Sequence, residues 1–147
     1  MRDAIGGIVN IQIILVFIVL VSGYLAFSVN YTKAFRAKNK IINAIEQYEG
    51  MTDNASLAED GDTATYLKQI GYSGRSNCPT GYNADPYQLG FCWRETQVDT
   101  TNTALDKRYF SVMTFINIDI PIIEKILDRI EPFKIKGDTK LIITHKK

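Results

Sequence analysis

The chain predicts an α+β fold: a long N-terminal α-helix, half transmembrane and half amphipathic, carrying a small antiparallel-sheet head with one or two short helices. Three observations predict it. Ile8 to Val29 is an uncharged apolar run, residues 30–49 repeat apolar side chains at helical spacing, and much of the remainder alternates with a period of two. A length of 147 residues suits one modest domain, and 46% hydrophobic with 22% charged residues excludes a wholly disordered chain. The net charge of +1 gives no long-range field of the kind a dedicated nucleic-acid binder carries, so no nucleic-acid partner is expected.

The first element is the run IVNIQIILVFIVLVSGYLAFSV, 22 residues with no charge and no proline. A helix of about 20 apolar residues matches a hydrocarbon core of roughly 30 Å, because each residue rises about 1.5 Å and the backbone satisfies its own hydrogen bonds. The alternatives are a buried core helix and the apolar part of a removed signal peptide, for which Ala26-Phe27-Ser28 offers a small-residue cut. Signal apolar regions usually run only about 7–15 residues.

Residues 30–49 contain neither proline nor glycine, and Tyr31, Ala34, Phe35, Ile41, Ile42, Ile45 and Tyr48 recur at spacings of three, four and seven. One face is therefore apolar, and Lys33, Arg36, Lys38 and Lys40 make the other basic. Gly50 offers a helix cap, which predicts one helix from Ile8 to Glu49, about 63 Å long. The apolar face is expected to pack against the protein's own head, and the basic face to meet lipid headgroups or acidic neighbours. The chain divides into residues 1–7, a membrane segment 8–29, an amphipathic extension 30–49 and a head 50–147.

In the head, MTDNASLAEDGDT reads as a polar connection and Thr63 to Ile70 as a short helix stopped by Gly71. Tyr87, Leu89, Phe91 and Trp93 alternate with polar or small residues and predict a strand. Phe110, Val112, Thr114, Ile116, Ile118 and Ile120 share one parity and predict an antiparallel partner. At Pro121 the period changes, and Ile122, Ile123, Ile126, Leu127 and Ile130 make the stripe of a proline-led helix ending before Pro132. A last strand, Phe133 to Ile143, is interrupted at Gly137-Asp138 by a bulge or tight turn.

Two rules disagree on orientation. The positive charges from Lys33 to Lys40 place the head in the cytoplasm by counting alone. The only cysteines, Cys78 and Cys92, lie in a loop-rich stretch without a histidine, where a disulfide is the economical reading and requires an oxidising compartment. Two unpaired thiols are the alternative.

Catalytic signals are sparse. His145 is the only histidine, with no cysteine or carboxylate cluster around it, so nucleophilic triads and metal spacing have little to stand on. No Gly-rich phosphate loop appears. Glu59-Asp60 reads as a solvated turn, and Trp93 with its neighbouring tyrosines reads as strand core before it reads as a stacking platform for sugars or bases. No enzyme, no cofactor and no metal site is expected.

The extreme N-terminus, MRDAIGG followed at once by the apolar helix, resembles a class III prepilin leader. The resemblance implies a prepilin peptidase cut between Gly7 and Ile8, with Gln12 fifth in the mature chain. Members of that family usually have glutamate there, thought to meet a neighbouring subunit's amine. Gln12 keeps hydrogen bonding without the charge, which suits a minor subunit better than the bulk one. The run RYFSVMTFINIDIPIIEKILDRIEPFKIKGDTKLII is similar to the C-terminal part of TadE-like proteins of the tight-adherence pilus. Together these resemblances imply a type IV pilin-like subunit, anchored in the bilayer before assembly and then packed through its helix against other pilins. Asn10 and Gln12 would be polar contacts within that bundle, and Ser22, Gly23 and Ala26 would permit close approach. The implied roles are filament assembly, surface adhesion or secretion; an anchored extracytoplasmic binding or sensor module is the rival reading.

Overall fold

The computed structural model describes residues 2–51, 54–74, 77–99, 105–116 and 133–145. It has the expected α+β architecture. Helix α1 runs unbroken from Arg2 to Gln47, starting before Ile8 and passing straight through the Gly7–Ile8 junction. At about 1.5 Å per residue it is roughly 69 Å long.

The end of α1 differs from expectation. The left-handed residue of the cap is Glu49, at φ 55°, and Gly50 follows it, its N–H reaching back to the Ile45 carbonyl at 3.1 Å. That six-to-one bond closes a Schellman turn whose left-handed position normally favours glycine. Asn54, only 1% exposed, completes the cap: its amide donates to the carbonyls of Ala44 and Gly50, each at 3.1 Å. The Ala44 carbonyl already accepts the Tyr48 N–H at 3.1 Å, so Asn54 adds a second donor there and ties the helix end to the turn at Gly50.

Helix α2 spans Asp62–Gln69, within a residue of the expected limits, and ends before left-handed Gly71. The sheet comprises β1 (Asn83–Ala84), β2 (Cys92–Asp99), β3 (Leu105–Phe115), β4 (Lys134–Asp138) and β5 (Ile142–His145). All pairings are antiparallel. β1 joins β2, β2 joins β3, and β4 and β5 share the far edge of β3.

Two strand expectations are corrected. Tyr87 and Leu89 do not belong to β2; they lie in a loop closed by Asp85, and the strand starts at Cys92. The Asp85 carboxylate accepts the backbone N–H groups of Tyr87, Leu89, Gly90 and Phe91 at 2.8–3.2 Å, so these donors are withdrawn from any ladder. The last-strand interruption also lies further on. Gly137 still pairs with Val112, and the break comes at Thr139, whose N–H reaches the Phe110 carbonyl while its hydroxyl accepts the Phe110 N–H, both at 2.9 Å. A side chain here replaces one rung of the ladder. The expected proline-led helix over 121–130, with Ile118 and Ile120, lies outside the described residues.

The head is three layers deep. Ala34, Ala37, Ile41, Ala44 and Ile45 of α1 are buried, and Phe91, Phe110, Val112, Leu57 and Leu67 complete the core between helices and sheet. The opposite face of β3 is covered as well: Met113 and Phe115 pack with Cys92, Cys78 and Tyr82. Residues 110–116 are consequently all buried, and β3 is the central strand of the head. The apolar stripe expected on α1 holds in part: Ala34, Ile41 and Ile45 are buried and Ile42 packs beside them. Tyr31, Phe35 and Tyr48 are 40–45% exposed, whereas alanines meet the sheet. Close packing explains this, since the Thr114 hydroxyl reaches the Ala34 carbonyl at 3.0 Å, and a Cβ on Gly137 would stand 2.9 Å from Lys38 Cδ.

Candidate functional site

The most distinctive surface is the N-terminal half of α1. Its most apolar 18-residue window has a mean hydropathy of 2.4, and none of it is buried among the described residues. Phe17, Val19 and Leu20 are each at least 64% exposed. A continuous apolar surface of this length is not stable against water, so lipid or other apolar helices must cover it. The helix is therefore long and apolar enough to cross a membrane.

Positions singled out in the sequence distribute unevenly over this rod. Gly7 and Ile8 lie within the helical backbone. Asn10, Gln12 and Ser22 are exposed, and Gly23 and Ala26 are partly covered. At about 100° per residue, Gln12, Gly23 and Ala26 share the side that faces the sheet further along; Ser22 flanks them, and Asn10 stands about 160° from Gln12. The structure does not bring Asn10 and Gln12 together. A Cβ on Gly23 would meet nothing within 4 Å, so no contact inside the chain requires glycine there.

Above this segment α1 carries an aromatic ladder. Phe27 and Tyr31 rings lie 6.4 Å apart, Tyr31 stacks on Phe35 at 6.3 Å, and the Lys38 ammonium sits 4.5 Å from the Phe35 ring centre. Phe133, preceding β4, meets Phe27 edge-on at 5.7 Å. Aromatic side chains at this level of a spanning helix favour the boundary between hydrocarbon and water.

The head is fastened to α1 by polar contacts. Arg108 forms ion pairs with Glu95 at 3.2 Å and Asp106 at 3.8 Å, and donates to the Glu49 carbonyl at 3.3 Å. Its Nε is buried without a hydrogen-bond partner among the described residues. Glu46 accepts the Lys140 N–H at 2.8 Å. Tyr72 donates to the Gly90 carbonyl at 2.9 Å and accepts the Phe115 N–H at 3.3 Å. Burial pushes its phenol up to about 12; the Phe115 N–H opposes that rise and the Asp85 charge adds to it.

Cys78 and Cys92 are joined by a disulfide, with Cα atoms 5.7 Å apart. The bond pins the 77–82 loop onto the outer face of the sheet, where Cys92 is fully buried. Among the described residues, no group of three or more His, Cys, Asp or Glu could hold a metal ion.

Sequence reasoning missed Asp85, Asn54 and Arg108. The motif NADPYQLG carried a usable signal for the first, because aspartate ahead of proline in a turn often gathers following N–H groups. Asn54 bonds near its own position, to Gly50, Ser56 and Ala44, inside a stretch read only as a polar connection, whereas the Arg108 partners Glu95 and Glu49 are distant in sequence.

Fold and surface together define a class: a single helix of bilayer-spanning length bearing a disulfide-closed α+β head. No protein-family model, no curated protein and no solved structure matches the chain.

Proposed function

We propose that this protein is a pilin-like subunit, anchored in a membrane by residues 8–29 with its head on the extracytoplasmic side, and later packed by that helix into a filament of a type IV or tight-adherence pilus. The observation that carries the reading is that no residue of the apolar window of α1 is buried among the described residues, beside a head that is packed on both sheet faces. Among the described residues the head core closes without the rod, which leaves the rod for an external apolar environment. Lipid supplies that environment first and neighbouring helices afterwards. The two are almost equally apolar, so packing and hydrogen bonds decide the transfer. Gly23, with open space around it, and Gln12 on the same side are suited to those contacts. The disulfide supports the outward orientation, because such bonds persist in oxidising compartments. Adhesion or secretion would follow from what the head displays at the filament surface.

Intact-mass analysis of the native protein from a piliated host, without reductant, tests the reading. The expected species lacks Met1–Gly7, retains the disulfide and is found in sheared filaments; Gly7→Trp abolishes the mass shift. A full-length wild-type chain that fractionates only with membranes would instead favour an anchored binding or sensor module.

A further inference from the structure

The level at which α1 leaves its uncharged run is also the level at which α2 reaches it. Between them lies a cavity of about 330 Å³, lined by Ser28, Val29, Thr32, Lys33 and Arg36 of α1 and by Ile70, the C-terminal cap of α2. Its chemistry is two-sided. Val29 and Ile70 make an apolar wall, and two cations and two hydroxyls stand around it. Thr32 donates its hydroxyl proton to the Ser28 carbonyl at 2.8 Å, so the cations and not this hydroxyl carry the attraction for an anion. Neither Lys33 nor Arg36 has an ion-pair or hydrogen-bond partner among the described residues, whereas Lys38 is engaged with Phe35 and Lys140 with Glu46.

Position supplies the second argument. Along the helix, Lys33 and Arg36 stand about 6 and 10 Å beyond Val29. The polar layer on each side of a bilayer is about 5–8 Å deep. If Val29 ends the hydrocarbon segment, both cations therefore sit at or just above the depth of the lipid phosphates. The apolar wall, lower down, faces the glycerol and the first methylenes of an acyl chain. The aromatic ladder occupies the opposite flank of α1 and does not compete for this site.

We propose that this cavity binds the headgroup of an anionic phospholipid, with Lys33 and Arg36 on the phosphate and Val29 and Ile70 against the glycerol and upper acyl chain. The proposal rests on the membrane-spanning reading of α1. Such a lipid ties the head, through α2, to one depth and one rotation relative to the bilayer, orienting the subunit before helix packing begins.

The test uses the full chain reconstituted in nanodiscs of phosphatidylcholine, with or without phosphatidylglycerol, followed by native mass spectrometry of the released protein. Wild type is expected to retain phosphatidylglycerol in preference to phosphatidylcholine. The Lys33→Gln/Arg36→Gln variant is expected to lose that preference roughly tenfold or more, the weight of one to two interfacial charges. Lys40→Gln, outside the cavity, is expected to keep it, which separates a built site from diffuse basic attraction. Equal retention by wild type and the double variant overturns the proposal, and so does loss of phosphatidylglycerol on adding inorganic phosphate, which would make the ligand a free anion. Failure of the wild-type chain to enter phosphatidylcholine discs is a different outcome, since it removes the span on which the proposal stands.

Discussion

The two halves of α1 share one unbroken backbone and draw their stability from different sources. None of residues 9–29 is buried among the described residues, and residues 34–45 are built into the head, with Ala37, Ile41 and Ile45 fully buried. In the lower half the helix is specified by apolarity around its whole circumference. In the upper half small residues on one side let it lie flat on β3 and β4. One helix can therefore serve two environments, with Val29 to Lys33 as the border.

The same substitution in each half sharpens this comparison most. Ile41→Ala removes a fully buried side chain and should lower head stability by about 3 kcal/mol in denaturant melts. Ile14→Ala, at 54% exposure, should leave those melts unchanged. Comparable losses at both positions would show that the lower half is part of the head's cooperative unit.

Asp85→Ala should cost roughly 2–3 kcal/mol, because four backbone N–H groups lose their acceptor at once. The damage should stay in the head, read as faster hydrogen exchange across residues 85–93 with membrane insertion intact.

Tyr72 gives a pH test. Its phenol titrates near 12 in the folded head against an ordinary value near 10, so the folded state holds the proton more tightly. Its stabilising contribution is complete below pH 10 and falls as pH rises toward 12, by roughly 1.4 kcal/mol per unit in that window. Tyr72→Phe should flatten this part of the profile while lowering stability at neutral pH through its two lost hydrogen bonds.

The smallest effect is expected at the cap. Glu49→Gly should raise stability by up to about 1 kcal/mol, because glycine adopts the left-handed conformation without the strain a side chain brings. No gain in the melt would mean that the Glu49 side chain contributes as much as its backbone conformation costs.

What was legible in the sequence follows the range of the forces involved. Length, absence of charge, 3.6-residue spacing and helix propensity are local, and they predicted the existence of α1 and α2, with α1 starting six residues earlier than expected. Burial around a helix depends on what packs there, so the expected stripe rightly held Ala34, Ile41 and Ile45 but also took in the exposed Tyr31, Phe35 and Tyr48 and left out Ala37 and Ala44. Alternation predicted β3 but not that both its faces are covered, since the disulfide loop over Met113 and Phe115 is a tertiary feature. At Tyr87 and Leu89 alternation misled, because a carboxylate took the N–H groups that a strand would have used. The basic side of α1 was readable from Lys33 and Arg36, but the cavity was not, for Ile70 arrives there only through the packing of α2.

The central claim is that residues 8–29 cross a membrane and hold a bridged head on its outer side. Labelling intact cells that express the full chain with an amine-reactive reagent unable to cross membranes, followed by peptide mapping, addresses it most directly. The account predicts modification of exposed head lysines such as Lys68 and Lys140 before lysis, on a protein that resists alkaline extraction from membranes. Modification of those lysines only after lysis, or a chain released freely into the soluble fraction, would contradict it.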